Sequence, residues 1–108
     1  MRYGRSSLKR LEANQLVLDG TLCQLETLRY TPAGVPLIEC RVRHESKQIE
    51  ADSERVVKVE VAAIAIGDLA RKLSQLNLDQ LFRVTGFLAQ KSQKSQQIVL
   101  HICSLENI

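Results

Sequence analysis

Tryptophan is absent from this chain of 108 residues, and its aromatic side chains are limited to two tyrosines and two phenylalanines. Long apolar runs are also missing. No segment approaches the roughly 18 apolar residues that a membrane-spanning helix needs, and no apolar stretch follows the charged N-terminus as it would in a secretion signal. These absences argue against a membrane protein and a secreted protein, and we expect a cytoplasmic one.

Cysteine is scarce as well. Cys23, Cys40 and Cys103 are odd in number and far apart, and each stands in an apolar, strand-like context. Such cysteines are typical of small buried side chains in a reducing compartment. The sequence therefore predicts neither a disulfide framework nor a metal site, and it calls for no cofactor.

Groups that could carry out catalysis are equally sparse. His44 and His101 stand alone in predicted strands, and the chain has no glycine-rich phosphate loop, paired-carboxylate spacing or nucleophile turn. A lone histidine in a strand is more often a packed residue than a general base. We therefore expect a binding protein and not an enzyme.

The net charge of +3 is concentrated at the N-terminus. Residues 1–13 hold four basic side chains and one acidic side chain, so the remaining 95 residues are neutral overall. We interpret residues 1–13 as a flexible basic leader, either native or added to the natural chain. Residues 14–108 are predicted to form one domain, since a hydrophobic content of 44% is enough for one core.

The chain is rich in segments where apolar and polar residues alternate, which is typical of half-buried strands. A charged stretch, Ser46–Glu54, interrupts this pattern and predicts a loop. Leu69, Leu73 and Leu76 recur at helical spacing and predict one short helix over residues 68–77, with Asp68 as its N-cap. The predicted strands cover residues 16–28, 37–45, 55–61, 80–88 and 97–108.

Three strands, a short helix and two strands form the element order of the oligonucleotide/oligosaccharide-binding (OB) fold. In the second strand, Ile38, Cys40 and Val42 alternate with Glu39 and Arg41, which predicts one core face and one charged face. The pattern alone also permits another small barrel.

Three pieces of sequence carry a family resemblance: NQLVLDGTL at residues 14–22, RYTPAGVP at residues 29–36, and GFLAQKS at residues 86–92. Their order and spacing resemble the primosomal replication protein N family, small relatives of the bacterial single-stranded-DNA-binding proteins. The resemblance implies an all-β fold, a five-stranded OB-fold barrel with one short helix between strands 3 and 4.

The same resemblance implies a function. It suggests a single-stranded-DNA-binding homodimer that works in restarting stalled replication forks. The partners that it implies are the primosomal helicase and the primosomal loading protein.

In an OB fold, ligands lie on the outward faces of the second and third strands, between the first and last hairpin loops. Lysine and arginine there neutralise the phosphates of single-stranded DNA, and aromatic rings stack on its bases. Tyr30 is the one good stacking candidate, because Phe82 and Phe87 are expected in the core. The predicted nucleic-acid-binding residues are Arg29, Tyr30, Arg41, Arg43, Arg55, Lys58, Lys91 and Lys94.

The chain departs from the family pattern in this groove. Members of the family carry aromatic residues in the region where Ser53 and Lys58 stand here. Since stacking contributes roughly 1–3 kcal/mol per base, we expect weaker and more salt-sensitive binding than the family pattern implies.

Two further interpretations remain open. Apolar side chains on the outer faces of the first and last strands predict a dimer interface, although core positions in a closed barrel fit them equally well. These residues are Val17, Val99, His101 and Cys103. Separately, Glu39, Glu45 and Glu60 near the predicted arginines favour a protein–protein interaction module with weak or no nucleic-acid binding.

Overall fold

The computed structural model describes residues 12–108, so the predicted leader, residues 1–13, lies almost wholly outside the described residues. The described part of the chain is mostly strand. Its elements are β1 (Leu16–Leu25), β2 (Arg29–Tyr30), β3 (Pro36–Glu50), β4 (Ser53–Ile66), α1 (Asp68–Ser74), β5 (Leu81–Gln90) and β6 (Ile98–Asn107).

The strands close into a barrel. β1 pairs with β5, β5 with β6, β4 with β3, and β3 pairs back with β1, all antiparallel, whereas β4 and β6 pair in parallel. β2 is a two-residue addition that pairs with the beginning of β3. Without β2 the barrel has five strands, and α1 lies between the third and the fourth, which confirms the predicted OB fold.

The core is built from one face of each barrel strand together with α1. Ile38, Cys40 and Val42 of β3 are buried, as their alternation predicts, and Ala70 and Leu73 of α1 join them. Burial of a large apolar side chain stabilises the fold by about 1.5–3 kcal/mol. The largest fully buried side chains are Phe82, Leu22, Ile38, Leu73, Leu100, Val42 and Val84.

The hairpin of β3 and β4 is longer than the sequence predicts, and the loop predicted over residues 46–54 is wrong. The two strands pair without interruption as far as Glu50 and Ser53. Ala51 and Asp52 then turn the chain with φ values of 53° and 63°, as a two-residue type I′ turn requires. This end of the hairpin is exposed on both faces. Polar side chains of residues 46–54 therefore point to both faces of the hairpin and remain in contact with water.

The helix differs from its prediction at both ends. Gly67, with φ of 85°, occupies the N-cap position predicted for Asp68, and glycine adopts this backbone conformation without steric cost. Asp68 instead accepts a hydrogen bond from Arg71 at 2.8 Å. The helix ends at Ser74 and not at residue 77. Within residues 12–108 there is no helix long and apolar enough to cross a membrane.

The two phenylalanines have different environments. Phe82 is 1% exposed, as predicted, but Phe87 is 41% exposed, so its predicted core position is wrong. Phe87 follows Arg83 and Thr85 on the outward face of β5, because successive strand residues alternate between faces.

The three cysteines are free thiols, and they are not all buried. Burial raises the pKa of Cys40 to about 12, so this thiol is inert at neutral pH. Cys23 is half-buried, whereas Cys103 is exposed, contrary to its prediction as a buried side chain. A register shift between β5 and β6 leaves Cys103 as the extra residue of a β-bulge.

Candidate nucleic-acid interface

The outward side chains of β3 and β4 form one continuous surface, called the ribbon face below. Directly opposed residues of antiparallel strands share a face. Arg43 lies opposite Glu60, and Lys58 lies opposite Glu45. Arg41, two residues before Arg43, is on the same side. The structure therefore brings together three of the predicted cations, Arg41, Arg43 and Lys58.

The arginines of the ribbon face, and Arg29 of the neighbouring strand β2, are paired with glutamates. Glu60 contacts two of them: its Oε1 is 3.4 Å from Arg41 Nε, and its Oε2 is 3.4 Å from Arg43 Nη2. Glu39 Oε2 accepts a hydrogen bond from Arg29 Nη2 at 2.8 Å. These side chains are partly exposed, so each ion pair stabilises the fold by no more than about 1 kcal/mol.

The ribbon face has as many acidic as basic side chains. The alternation of β3 and β4 places on it Glu39, Glu45, Glu54 and Glu60, together with Arg41, Arg43, Lys47 and Lys58. A surface with balanced charges does not attract phosphate as a whole. Attraction to phosphate must come from individual cations, or from cations at the rim of the surface.

Lys91, at the end of the β5–β6 hairpin, is such a rim cation. With Glu39 and Arg41 it lines a depression of about 130 Å³. With Arg29 and His101 it also lines a neighbouring depression of about 270 Å³. Lys91 therefore lies beside the ribbon face, as predicted for a residue of the last hairpin loop.

Lys94 lies farther along the same loop. The loop is closed by the Lys91 N–H, which donates to Gln97 O at 2.9 Å, and by the Ser95 N–H, which donates to Ser92 O at 3.1 Å. Lys94 is exposed and lines neither of these two depressions. A DNA contact by Lys94 stays a prediction.

Arg55 and Tyr30 lie away from the ribbon face. Arg55 is opposite Gln48, on the other side of the hairpin, and its Nη1 is 2.7 Å from Glu50 Oε1. Tyr30 is opposite Pro36, which faces the core, so Tyr30 is exposed at the edge of the opposite side. The structure therefore does not bring the predicted stacking residue to Arg41 and Arg43. Period-two alternation is the reason in both cases.

The four residues predicted for a dimer interface have different environments. Val17 is 54% exposed and Cys103 is exposed, whereas Val99 is 7% exposed and lines the two depressions beside Lys91, on the face of β6 opposite the core residues Leu100 and Ile102. His101 is half-buried, and its ring stacks on Phe87 with a centroid distance of 4.9 Å and an angle of 6° between the planes. Val17 and Phe87 share the outward face of β1 and β5, where unpartnered apolar surface remains.

Near Val17, polar contacts connect β1, β3 and β5. Arg83 donates two hydrogen bonds to Asp19, at 2.6 Å and 2.9 Å. These bonds hold the pKa of the Asp19 carboxyl below its usual value and raise the pKa of Arg83. His44 Nδ1 donates to the Asp19 carbonyl oxygen at 2.6 Å, and its Nε2 is 2.7 Å from Ser46 Oγ. Both ring nitrogens of His44 are therefore used in structural contacts.

Comparison with known proteins identifies the family. Residues 14–104 match the model of a family described as another single-strand binding protein family. The chain is also 39% identical over 97 residues to the replication restart protein PriB of Nitrosomonas europaea. This alignment covers 90% of this chain and 87% of that relative. The chain belongs to the PriB family.

Solved structures agree with this membership and with the predicted family resemblance. PriB from Ralstonia solanacearum superimposes with a TM-score of 0.81 at 34% identity, covering 89% of this chain and 98% of that one. A single-stranded DNA binding protein from Thermus aquaticus reaches a TM-score of 0.70 at 23% identity, covering 89% of this chain and 50% of that one. At this identity the second likeness concerns the fold alone.

Within this PriB family member, the sequence reasoning missed two features of the surface. It did not find that Glu60 holds Arg41 and Arg43 together, and it did not find that Phe87 is exposed. A signal was available for Phe87, because the alternation through Arg83 and Thr85 points it outward. The pairing of Glu60 had no such local signal.

Proposed function

We propose that the chain is a non-enzymatic single-stranded-DNA-binding protein of replication restart, acting as a cytoplasmic homodimer. One observation carries this proposal: in a member of the PriB family, Arg41, Arg43 and Lys58 lie together on the strand surface where OB folds bind their ligands. Lys91 extends this surface at its rim. We propose that phosphates of the DNA bind these four cations.

The composition of the ribbon face supports binding through charge. Residues 36–66, which form β3, β4 and their turn, contain no phenylalanine, tyrosine or tryptophan. Without rings to stack on the bases, the remaining contributions are phosphate contacts and the planes of the guanidinium groups. Ionic contacts weaken as salt rises, because the counterions displaced from the DNA gain less entropy when they are released into a more concentrated solution. We therefore expect weak binding that depends strongly on salt.

Replacement of Arg43 with alanine should weaken binding to oligo-dT. Loss of one phosphate contact should also reduce the slope of log K against log salt by about 0.7. The measurement is a fluorescence anisotropy titration at several salt concentrations.

Arg55→Ala is the matched control for Arg43→Ala, since it removes the same charge from the opposite side of the same hairpin. Its affinity and salt slope should stay close to those of the parent. Equal effects of the two substitutions would contradict binding on the ribbon face.

The ion pairs favour a second candidate function, a protein–protein interaction module. The ribbon face has charges of both signs, and Arg41 and Arg43 are already paired with Glu60. Such a face suits a protein partner with complementary charges at least as well as it suits a polyanion. The proposed partners are the primosomal helicase and the primosomal loading protein. Binding to either protein, with no binding to oligo-dT at low salt, would select this function over the first.

A charge at Val17 should dissociate the proposed homodimer. Val17→Glu places an unpaired carboxylate on the exposed apolar face of β1 and β5, and burying it in an interface should weaken the dimer by tenfold or more, at least about 1.4 kcal/mol. Light scattering measures the mass, and circular dichroism measures folding.

Ile49→Glu is the control, because Ile49 is an exposed apolar residue near the tip of the hairpin, 71% exposed. This variant should keep the mass of the parent. A Val17→Glu protein that stays dimeric would place the interface elsewhere, and one that unfolds would show that Val17 is needed for the fold.

A further inference from the structure

Glu60 has an unusual position on the ribbon face. It lies directly opposite Arg43, and Arg41 is its diagonal neighbour, because Arg41 is opposite Ala62. Long side chains reach both directly opposed and diagonal neighbours across an antiparallel pair. One carboxylate thus contacts two guanidinium groups, with an oxygen 3.4 Å from each.

Glu39 forms an ion pair with a third arginine. Its Oε2 is 2.8 Å from Arg29 Nη2, and the two side chains line the depression that also contains Lys91. The arginines at positions 29, 41 and 43, all predicted to bind DNA, therefore already have a carboxylate as partner. A carboxylate and a phosphate offer the same kind of acceptor, two oxygens that match the guanidinium fork.

We infer that Glu39 and Glu60 determine how strongly this surface binds single-stranded DNA, by competing with phosphate for Arg29, Arg41 and Arg43. This inference rests on the proposed function. When DNA binds, each arginine exchanges its glutamate partner for a phosphate of the DNA. The pairs open at small cost, since exposed ion pairs contribute little to stability and the glutamates keep access to water. The glutamates reduce affinity without closing the surface.

The experiment compares Glu60→Gln with Glu45→Gln. Glutamine has the shape of glutamate without its charge. Glu45 also lies on the ribbon face, opposite Lys58, but it forms no ion pair with another residue of 12–108. Both variants remove one negative charge from the same face. A difference between them therefore measures the release of the two arginines and not a general change in potential.

We expect Glu60→Gln to bind oligo-dT at low salt roughly two- to fivefold more tightly than Glu45→Gln, the factor that corresponds to opening an exposed ion pair. The slope of log K against log salt should stay close to that of Glu45→Gln, because the two arginines contact phosphate in the parent complex as well. Glu39→Gln, which releases Arg29 alone, should show a smaller gain. Thermal unfolding followed by circular dichroism checks that the variants remain folded.

A second arm tests whether the arginines carry the gain. In a protein that already has Arg41→Ala and Arg43→Ala, Glu60→Gln should have no more effect than Glu45→Gln. A gain that persists without the two arginines would overturn the inference. Equal affinities of Glu60→Gln and Glu45→Gln in the otherwise unchanged protein would overturn it as well.

Failure of the proposed function has a different result. If the parent, Glu60→Gln and Glu45→Gln all fail to bind oligo-dT at low salt, the DNA-binding function is refuted, and this inference with it. If the parent binds and the two variants bind equally, only the competition by Glu60 is refuted.

Discussion

Replacing Phe82 with alanine should lower the free energy of unfolding by about 3–5 kcal/mol. Phe82 is 1% exposed and is one of the largest side chains in the core, where it lies between β1 and the end of β6 in the sheet. Its loss removes apolar burial and leaves a cavity that the closed barrel cannot fill by collapsing. Domains of this size have a total stability of about 5–15 kcal/mol, so the variant should be largely destabilised or unfolded. Urea denaturation followed by circular dichroism measures the change.

Phe87→Ala is the matched control for this substitution. Phe87 is 41% exposed in the single subunit and loses mainly its stacking on His101, so we expect a cost of about 1 kcal/mol at protein concentrations where the proposed dimer is dissociated. A similar loss of stability in both variants would mean that Phe87 is buried in solution, for instance in a dimer. In that case the loss for Phe87→Ala should depend on protein concentration, whereas the loss for Phe82→Ala should not.

Gly86→Ala should be nearly as damaging, at about 3 kcal/mol or more. The backbone of β6 passes so close to Gly86 that an added Cβ would collide with the carbonyl oxygen of His101 and lie 2.8 Å from its carbonyl carbon. The obstacle is backbone at the bulge between β5 and β6, so no side chain can rotate away. Thermal unfolding and the yield of soluble protein report the effect.

Gly34→Ala is the control for Gly86→Ala. It measures the loss of stability from replacing a glycine where no collision occurs. Gly34 has φ of 84° in the Thr31–Gly34 turn, but no atom lies within 4 Å of an added Cβ. Only backbone strain remains there, about 1–2 kcal/mol. If Gly86→Ala were as stable as Gly34→Ala, the close approach of β5 and β6 at the bulge would be wrong.

The same close packing explains why we propose a functional surface on the strands and not in a deep pocket. Alanines at positions 63 and 65 and the close approach at Gly86 bring the barrel walls together, and the core is filled by side chains. A ligand therefore meets only the outside of β3 and β4 and the rims formed by neighbouring loops. In such a site, affinity depends on the balance of charges at the surface, which is why the pairing of Glu39 and Glu60 matters for the proposed function.

The sequence by itself determined that the chain has five barrel strands and one short helix, and which face of β3 turns toward the core. Alternation is a local property: Ile38, Cys40 and Val42 must share one face of β3, and Arg41 and Arg43 the other, whatever the strand pairs with. The pattern also supplied the order of strands and helix, the family resemblance selected the OB fold among small barrels, and the strand topology and a similar solved structure confirmed that fold. These features needed no knowledge of contacts between distant residues.

Only the tertiary structure decided which strands are neighbours, how far they pair and which charges meet. Arg41 and Glu60 are far apart along the chain and become neighbours through the register of β3 and β4, and Arg29 meets Glu39 through the pairing of β2 with β3. The charged segment 46–54 forms strands because a cross-strand partner satisfies its backbone, which composition does not reveal. Hydrogen bonding between strands is non-local, so the pattern along one strand cannot specify its partner or its register. The outward face of a strand was predictable because alternation is local. The ion pairs between strands were not predictable, because they depend on the register.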